Sequence, residues 1–223
     1  VVGSEQVIDP CRFVEAVQPL LARRDAAGLL ELLRSSWSPA QIVSLLSCPS
    51  CDARKVAALA LSLVGGACCI EELSQALRDP DPMVNEMAEH ALWSIWFRMG
   101  SCDAKAALQR GSDALDNRDL DAAIEHFTQA IQADPNFSEA YNQRALAHYL
   151  ADRYEQSIED CQQAVRRMPC HFGAWAGMGH CYAHLSNFAE AVRCYERALE
   201  INPHLACIRE GLDELRKNTR KKG

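Results

Sequence analysis

The chain has 223 residues, of which 48% are hydrophobic and 24% charged, with a formal net charge of −7. These proportions match folded domains and exclude a disordered, collagen-like or mucin-like chain. No uncharged apolar run approaches the ~18 residues that would read as a membrane-spanning helix. An acidic chain gets no general electrostatic help in meeting nucleic acid, so a nucleic-acid partner is not expected.

The charge is uneven. Residues 1–100 carry 8 basic and 12 acidic side chains, residues 101–215 carry 10 and 18, and residues 216–223 carry 5 and none. The basic end, with its tail at 218–223, reads as a solvated helix terminus whose cations suit the helix dipole. Eleven cysteines at irregular spacing do not form a disulfide framework; reduced, largely buried thiols in a cytoplasmic protein fit better. The chain begins at Val1 without the charged start and apolar run of a signal peptide, and its true N-terminus is expected to lie further upstream.

In chain order, residues 10–23 and 25–36 read as two helices. From there the sequence repeats with a period of 31: Leu46 falls on Leu77, Pro49 on Pro80, Ala57 on Ala88, Leu61 on Leu92 and Val64 on Ile95. Asp79-Pro80-Asp81-Pro82 ends one helix and opens the next, Pro82 standing where a helix can begin without losing a bond. Residues 69–97, and less clearly 38–65, resemble HEAT repeats, so 1–100 is expected to be two or three HEAT-like hairpins. Trp93, Trp96 and Phe97 close this half, where core packing is the expected role. Cys48-x-x-Cys51 and Cys68-Cys69 invite a zinc reading. A helix over 52–64 would separate the pairs by ~20 Å at ~1.5 Å per residue, so no metal is expected. The junction, Met99-Gly100-Ser101-Cys102, is too short for a flexible linker, and one nearly continuous superhelix is expected.

A second period, of 34, begins after the junction. Pro135, Pro169 and Pro203 are 34 apart, and so are the small residues Gly111, Ala145 and Gly179. Ala130, Ala164 and Ala198 form another column, and Phe127, Cys161 and Tyr195 a further one. Within each unit apolar residues recur at helical spacing twice, with a polar break between. The small columns let two antiparallel helices approach, and the proline ends the second helix.

These residues, most completely Trp175, Gly179, Tyr182, Ala191, Tyr195, Ala198 and Pro203, resemble the tetratricopeptide repeat (TPR) family. Three units are implied, at 103–136, 137–170 and 171–204, followed by a capping helix to 217. The fold class is therefore all-α: an α-solenoid superhelix of antiparallel helix hairpins.

The resemblance implies that the first helix of each hairpin lines a concave groove. The groove residues are then Lys105, Leu108, Ser112 and Leu115 in unit one, Asn142, Leu146 and Tyr149 in unit two, and Ala176, His180 and His184 in unit three. His180 and His184 share a helix face, but two ligands do not make a metal site. Family members that clamp the C-terminal carboxylate of heat-shock chaperones use cations and amides at places held here by Leu108, Ser112, Gln143, Gly173 and Gly177. On that ground a chaperone-tail partner is not expected.

No phosphate-binding, dinucleotide, metalloprotease or nucleophile-elbow motif is present. The chain therefore reads as a non-catalytic scaffold or adaptor that binds a partner peptide or protein in the TPR groove, with no cofactor. The alternatives are a C-terminal regulatory region of a larger enzyme whose catalytic domain is not in this chain, and a HEAT-like enzyme of the chromophore-lyase type.

Overall fold

The computed structural model describes residues 8–220, with side chains to 217. The tail at 218–223, read above as a solvated basic end, lies outside the described side chains. The described residues form thirteen α-helices and no strand. They divide into two compact units that meet at residues 98 and 99.

The first unit holds α1 (Pro10–Ala22), α2 (Ala26–Ser36), α3 (Pro39–Ser44), α4 (Cys51–Val64), α5 (Ile70–Ala76) and α6 (Pro82–Arg98). Each start follows from a local signal. Asp9 and Asp25 accept backbone N–H groups at the heads of α1 and α2, Ser38 and Gln41 cap α3 reciprocally, and Ser50 caps α4. The Asp-Pro-Asp-Pro turn is tied to the preceding hairpin. Arg54 donates to both oxygens of Asp79 (2.7 and 3.0 Å), while Lys55 and the Cys51 thiol each reach Asp81 at 3.0 Å. The Cys51 and Lys55 hydrogen bonds hold the Asp81 carboxyl down to about 2. Asn85 donates to the carbonyls of Ala76 and Asp79, so this buried amide is satisfied. Trp96 is fully buried, whereas Phe97 is 37% exposed.

The second unit holds α7 (Cys102–Asp116), α8 (Leu120–Ala133), α9 (Ser138–Leu150), α10 (Tyr154–Arg167), α11 (Phe172–His184), α12 (Phe188–Ile201) and α13 (Ala206–Arg220). These are three hairpins in the expected 34-residue register plus the capping helix. Three devices recur with that period. Arg118, Asp152 and Ser186 adopt left-handed φ of 60°, 57° and 58° and end the first helix of each hairpin. The residue after each donates its N–H back into the last turn, as Asn187 does to Tyr182 at 2.8 Å. Pro135, Pro169 and Pro203 follow the second helices, and their carbonyls accept from Tyr141, Trp175 and Arg209, six residues on in each case.

The third device is close approach. A methyl group at Gly111 would stand 2.5 Å from Phe127 Cδ1, and one at Gly179 2.5 Å from Tyr195 Cε1. In the middle hairpin Ala145 replaces the glycine, and Cys161, in the same buried cluster, replaces the ring. Volume is traded across the contact. The capping helix lays Ile208 and Leu212 on Tyr195 and Ala198.

Gly179→Ala is expected to destabilise the fold. The ring cannot yield a clash this short, and overpacking costs ~1–3 kcal/mol against ~1 kcal/mol of helix propensity gained. Ser186→Gly is expected to stabilise it by about 0.5 kcal/mol, since left-handed strain of ~1–2 kcal/mol is relieved for ~0.5–1 kcal/mol of added backbone entropy. Melting temperatures moving in opposite directions check both.

Trp175 packs between the clusters of the second and third hairpins. Trp175→Ala should lower the melting temperature by several degrees, as expected for a change costing ~3 kcal/mol, whereas Lys105→Ala should leave it unchanged.

Candidate functional site: the first-helix face of the second unit

Successive hairpins of the second unit pack chiefly through the second helix of one on the first helix of the next, α8 on α9 and α10 on α11; first helices also touch, α7 on α9 and α9 on α11, more closely than the second helices meet each other. A stack tighter on one side curves toward that side, so the face of α7, α9 and α11 is the inner one.

Of the residues expected there, Tyr149, His180 and His184 come together. Tyr149 Oη and His184 Nε2 lie 3.0 Å apart, and the two rings meet edge-on at 5.4 Å. The His180 ring is 6.3 Å from Tyr149 and its Nδ1 is 2.8 Å from Tyr195 Oη. Two residues that the sequence reading missed complete the cluster. Tyr154, at the head of α10, stacks on His184 at 4.7 Å and 15° and donates to Asp152 at 2.6 Å. Tyr195 reaches His180 from α12. Tyr154 lies 34 residues from both Leu120 and Phe188, which are apolar, and nothing in its spacing sets it apart from them.

The electrostatics follow from burial. Burial, and then the neighbouring His184, hold His180 below its ordinary pKa. The bond to Asp152 pushes Tyr154 up to about 12, and burial pushes Tyr195 up to about 12. The cluster is a surface of rings and N–H and O–H groups. Beside it Leu146 is 43% and Leu150 52% exposed, one turn apart on α9. Asn142 donates through Nδ2 to Glu139 at 3.2 Å, which leaves its Oδ1 to accept.

The unit-one residues fare differently. Leu108 is only 3% exposed and belongs to the core with Phe127 and Phe137; it is not a groove residue, because the small Ala104 and Ala107 let α7 sink its leucine against α9. The Ser112 hydroxyl donates to the Leu108 carbonyl at 3.1 Å. Lys105 is half-buried, Leu115 packs on the same core, and Ala176 packs on the capping-helix cluster.

Below this face the middle hairpin is polar. Arg144 donates to both oxygens of Asp160 (2.8 and 2.7 Å) and to Thr128 at 2.9 Å. His148 faces Asp160 at 3.8 Å, with a buried Nδ1 that has no hydrogen-bond partner. His171 and Glu139, both fully buried, meet at 2.9 Å. All eleven cysteines are free. Among the described residues no group of three or more potential metal ligands converges, and no helix is long and apolar enough to cross a membrane.

Residues 108–170 and 173–205 match the tetratricopeptide repeat family. A TPR repeat-containing protein of Rhizobium etli is 27% identical over 130 residues, 58% of this chain and 64% of that protein. The human SGT1 homolog is 28% identical over 103 residues, 46% of this chain and 28% of the relative. The chain thus spans less than two thirds of the length of these curated relatives. Among solved structures, the first TPR of Spaghetti (RPAP3) bound to the HSP90 peptide SRMEEVD is 24% identical with a TM-score of 0.52, covering 53% of this chain and 94% of that one. The second TPR domain of human RPAP3 in complex with the HSP70 peptide SGPTIEEVD is 25% identical with a TM-score of 0.50, covering 51% and 95%. The second unit is therefore built of tetratricopeptide repeats.

These neighbours correct one expectation. A heat-shock chaperone tail was not expected because none of the five places carries a cation, yet TPR domains of this same fold are bound to such tails. The exclusion equated one set of five side chains with the capacity to bind. A carboxylate can also be met by other N–H donors, and Lys105 and the imidazoles of His180 and His184 are such groups.

His180 and His148 both have depressed pKa values, caused first by burial. The unfolded chain, with histidine at ~6.5, therefore binds more protons than the fold at mildly acidic pH. Stability from these two groups is fully present above about pH 6.5 and declines as the pH falls below it. Melting temperature measured from pH 7.5 down to about 5 should fall, and His180→Gln should flatten part of that slope.

Proposed function

We propose that this protein is a non-catalytic, cytoplasmic adaptor whose inner TPR face, within residues 103–217, binds an extended peptide segment of a partner protein. The observation that carries the reading is the pairing of exposed Leu146 and Leu150 with the Tyr149, His180 and His184 cluster. An apolar side chain of the ligand would lie over the two leucines, and the ring edges and Asn142 Oδ1 would meet its backbone. Rigid aromatic groups with a polar tip are the residue type that dominates interface hot spots. Partner binding by the related domains named above supports the same use. The first unit, with its hairpins α3–α4 and α5–α6 and its Asp-Pro-Asp-Pro turn tied to Arg54 and Lys55, is read as HEAT-like repeats within 1–100.

Selection of peptides from a random library against the whole chain, with SRMEEVD included as a defined ligand, tests this. Selected peptides should share an apolar anchor. Leu146→Glu and Tyr149→Ala should each weaken them by about 2 kcal/mol with the helical circular dichroism unchanged. Full affinity in the double variant would place the ligand on another face.

A further inference from the structure

The first unit contains a cleft whose lining differs chemically from the inner face of the second unit. Where the C-termini of α2, α4 and α6 meet the start of α3, a cleft of about 550 Å³ opens. Arg34 and Arg98 both line it, and none of its ten lining residues is a carboxylate. This runs against the composition of a half-chain in which acids outnumber bases 12 to 8. The other cations on these helices are matched, Arg54 with Asp79 and Lys55 with Asp81; Arg34 and Arg98 have no carboxylate partner among the described residues.

The two arginines are held differently. Arg98 donates through Nη1 to the Ser62 carbonyl and through Nη2 to the Gly65 carbonyl, the latter at 3.1 Å. These bonds fix its guanidinium across the end of α4 and leave N–H groups over. The Arg34 side chain makes no hydrogen bond among the described residues. Helix C-termini favour cations, and Arg34 in the last turn of α2 and Arg98 in the last turn of α6 both meet that preference; the dipole alone does not account for two exposed guanidinium groups sharing one carboxylate-free cleft with Trp37. The apolar part of the wall is Trp37, Leu63 and Val64, and Ser35, Ser36 and Ser38 supply polar lining. Trp37 is braced edge-on by Phe13 at 4.9 Å. The Ser36 hydroxyl, also in the wall, has no hydrogen-bond partner among the described residues.

We propose that this cleft binds a phosphate monoester carried on an aromatic or apolar body. Two guanidinium forks match a group of charge about −1.5 to −2 with three acceptor oxygens, where a carboxylate would neutralise only one. The carbon body lies on Trp37, Leu63 and Val64. The source is a phosphorylated side chain of a partner protein or a free organic phosphate, which share this chemistry.

Calorimetric titration of the full chain with phenyl phosphate, inorganic phosphate and phenylacetate tests the proposal. Phenyl phosphate should saturate and bind about tenfold or more tightly than either of the others, since one lacks the ring and the other the second charge. Arg34→Gln should weaken it about tenfold or more; the exposed Arg34 side chain holds no bond among the described residues, so this variant loses only the helix-end charge and its melting temperature should change little. Trp37→Ala should remove the advantage over inorganic phosphate. A phosphotyrosine peptide binding more tightly than phenyl phosphate assigns a protein source, and equal binding a free ester. No saturation by phenyl phosphate up to millimolar concentration, or unchanged binding in Arg34→Gln, overturns the proposal. Neither result bears on the peptide groove, which lies in the other unit.

Discussion

Much of the second unit depends on one contact, the approach of two helix backbones inside each hairpin where a glycine faces an aromatic ring. At Gly111 and Gly179 the ring edge occupies the space a side chain would need. The gain is dispersion and apolar burial at interior density, and the cost is that no larger residue fits. The middle hairpin meets the same constraint with Ala145 and Cys161. Because separation is set at this column, the next hairpin finds a surface of constant shape, which lets the stack propagate and end on α13.

That contact also reaches the inner face. Tyr195 fills the space beside Gly179 with its ring and positions His180 with its hydroxyl at 2.8 Å. One side chain thus sets hairpin spacing and orients a groove residue. His184 is held in the same way, between Tyr149 and Tyr154. A surface whose polar groups are already aimed loses less entropy on binding than one of free side chains.

The interior of the middle hairpin follows another rule. Arg144, Asp160 and Thr128 form a hydrogen-bonded network where the third hairpin has Met178 and Cys194. Buried charges are tolerated there because each is paired and its remaining groups are bonded. Asp79 and Asp81, held by Arg54, Lys55 and Cys51, play the corresponding part in the first unit, joining successive hairpins through their turn.

Period, helix ends and hairpin order were legible in the amino-acid sequence, because they rest on local chemistry. Proline cannot continue a helix, short polar breaks admit a left-handed residue, and small residues recurring every 34 positions mark close approach. The groove was legible only in part. Tyr149, His180 and His184 were placed on the groove face by the resemblance to tetratricopeptide repeats, but Leu108, placed there in the same way, is buried, because Ala104 and Ala107 beside it bring α7 down onto α9. Tyr154 and Tyr195 join the cluster from other helices, and no pattern along the chain records which side chains meet across hairpins. The same holds for Arg34 and Arg98, 64 positions apart and without a motif. What the sequence determined alone is whatever depends on neighbours along the chain: helices, turns, repeat length and the small-residue columns. What only the tertiary structure decided is which polar groups end up buried and paired, which rings touch, and which cations are left without a counter-charge, since these depend on distances between helices that local sequence does not encode.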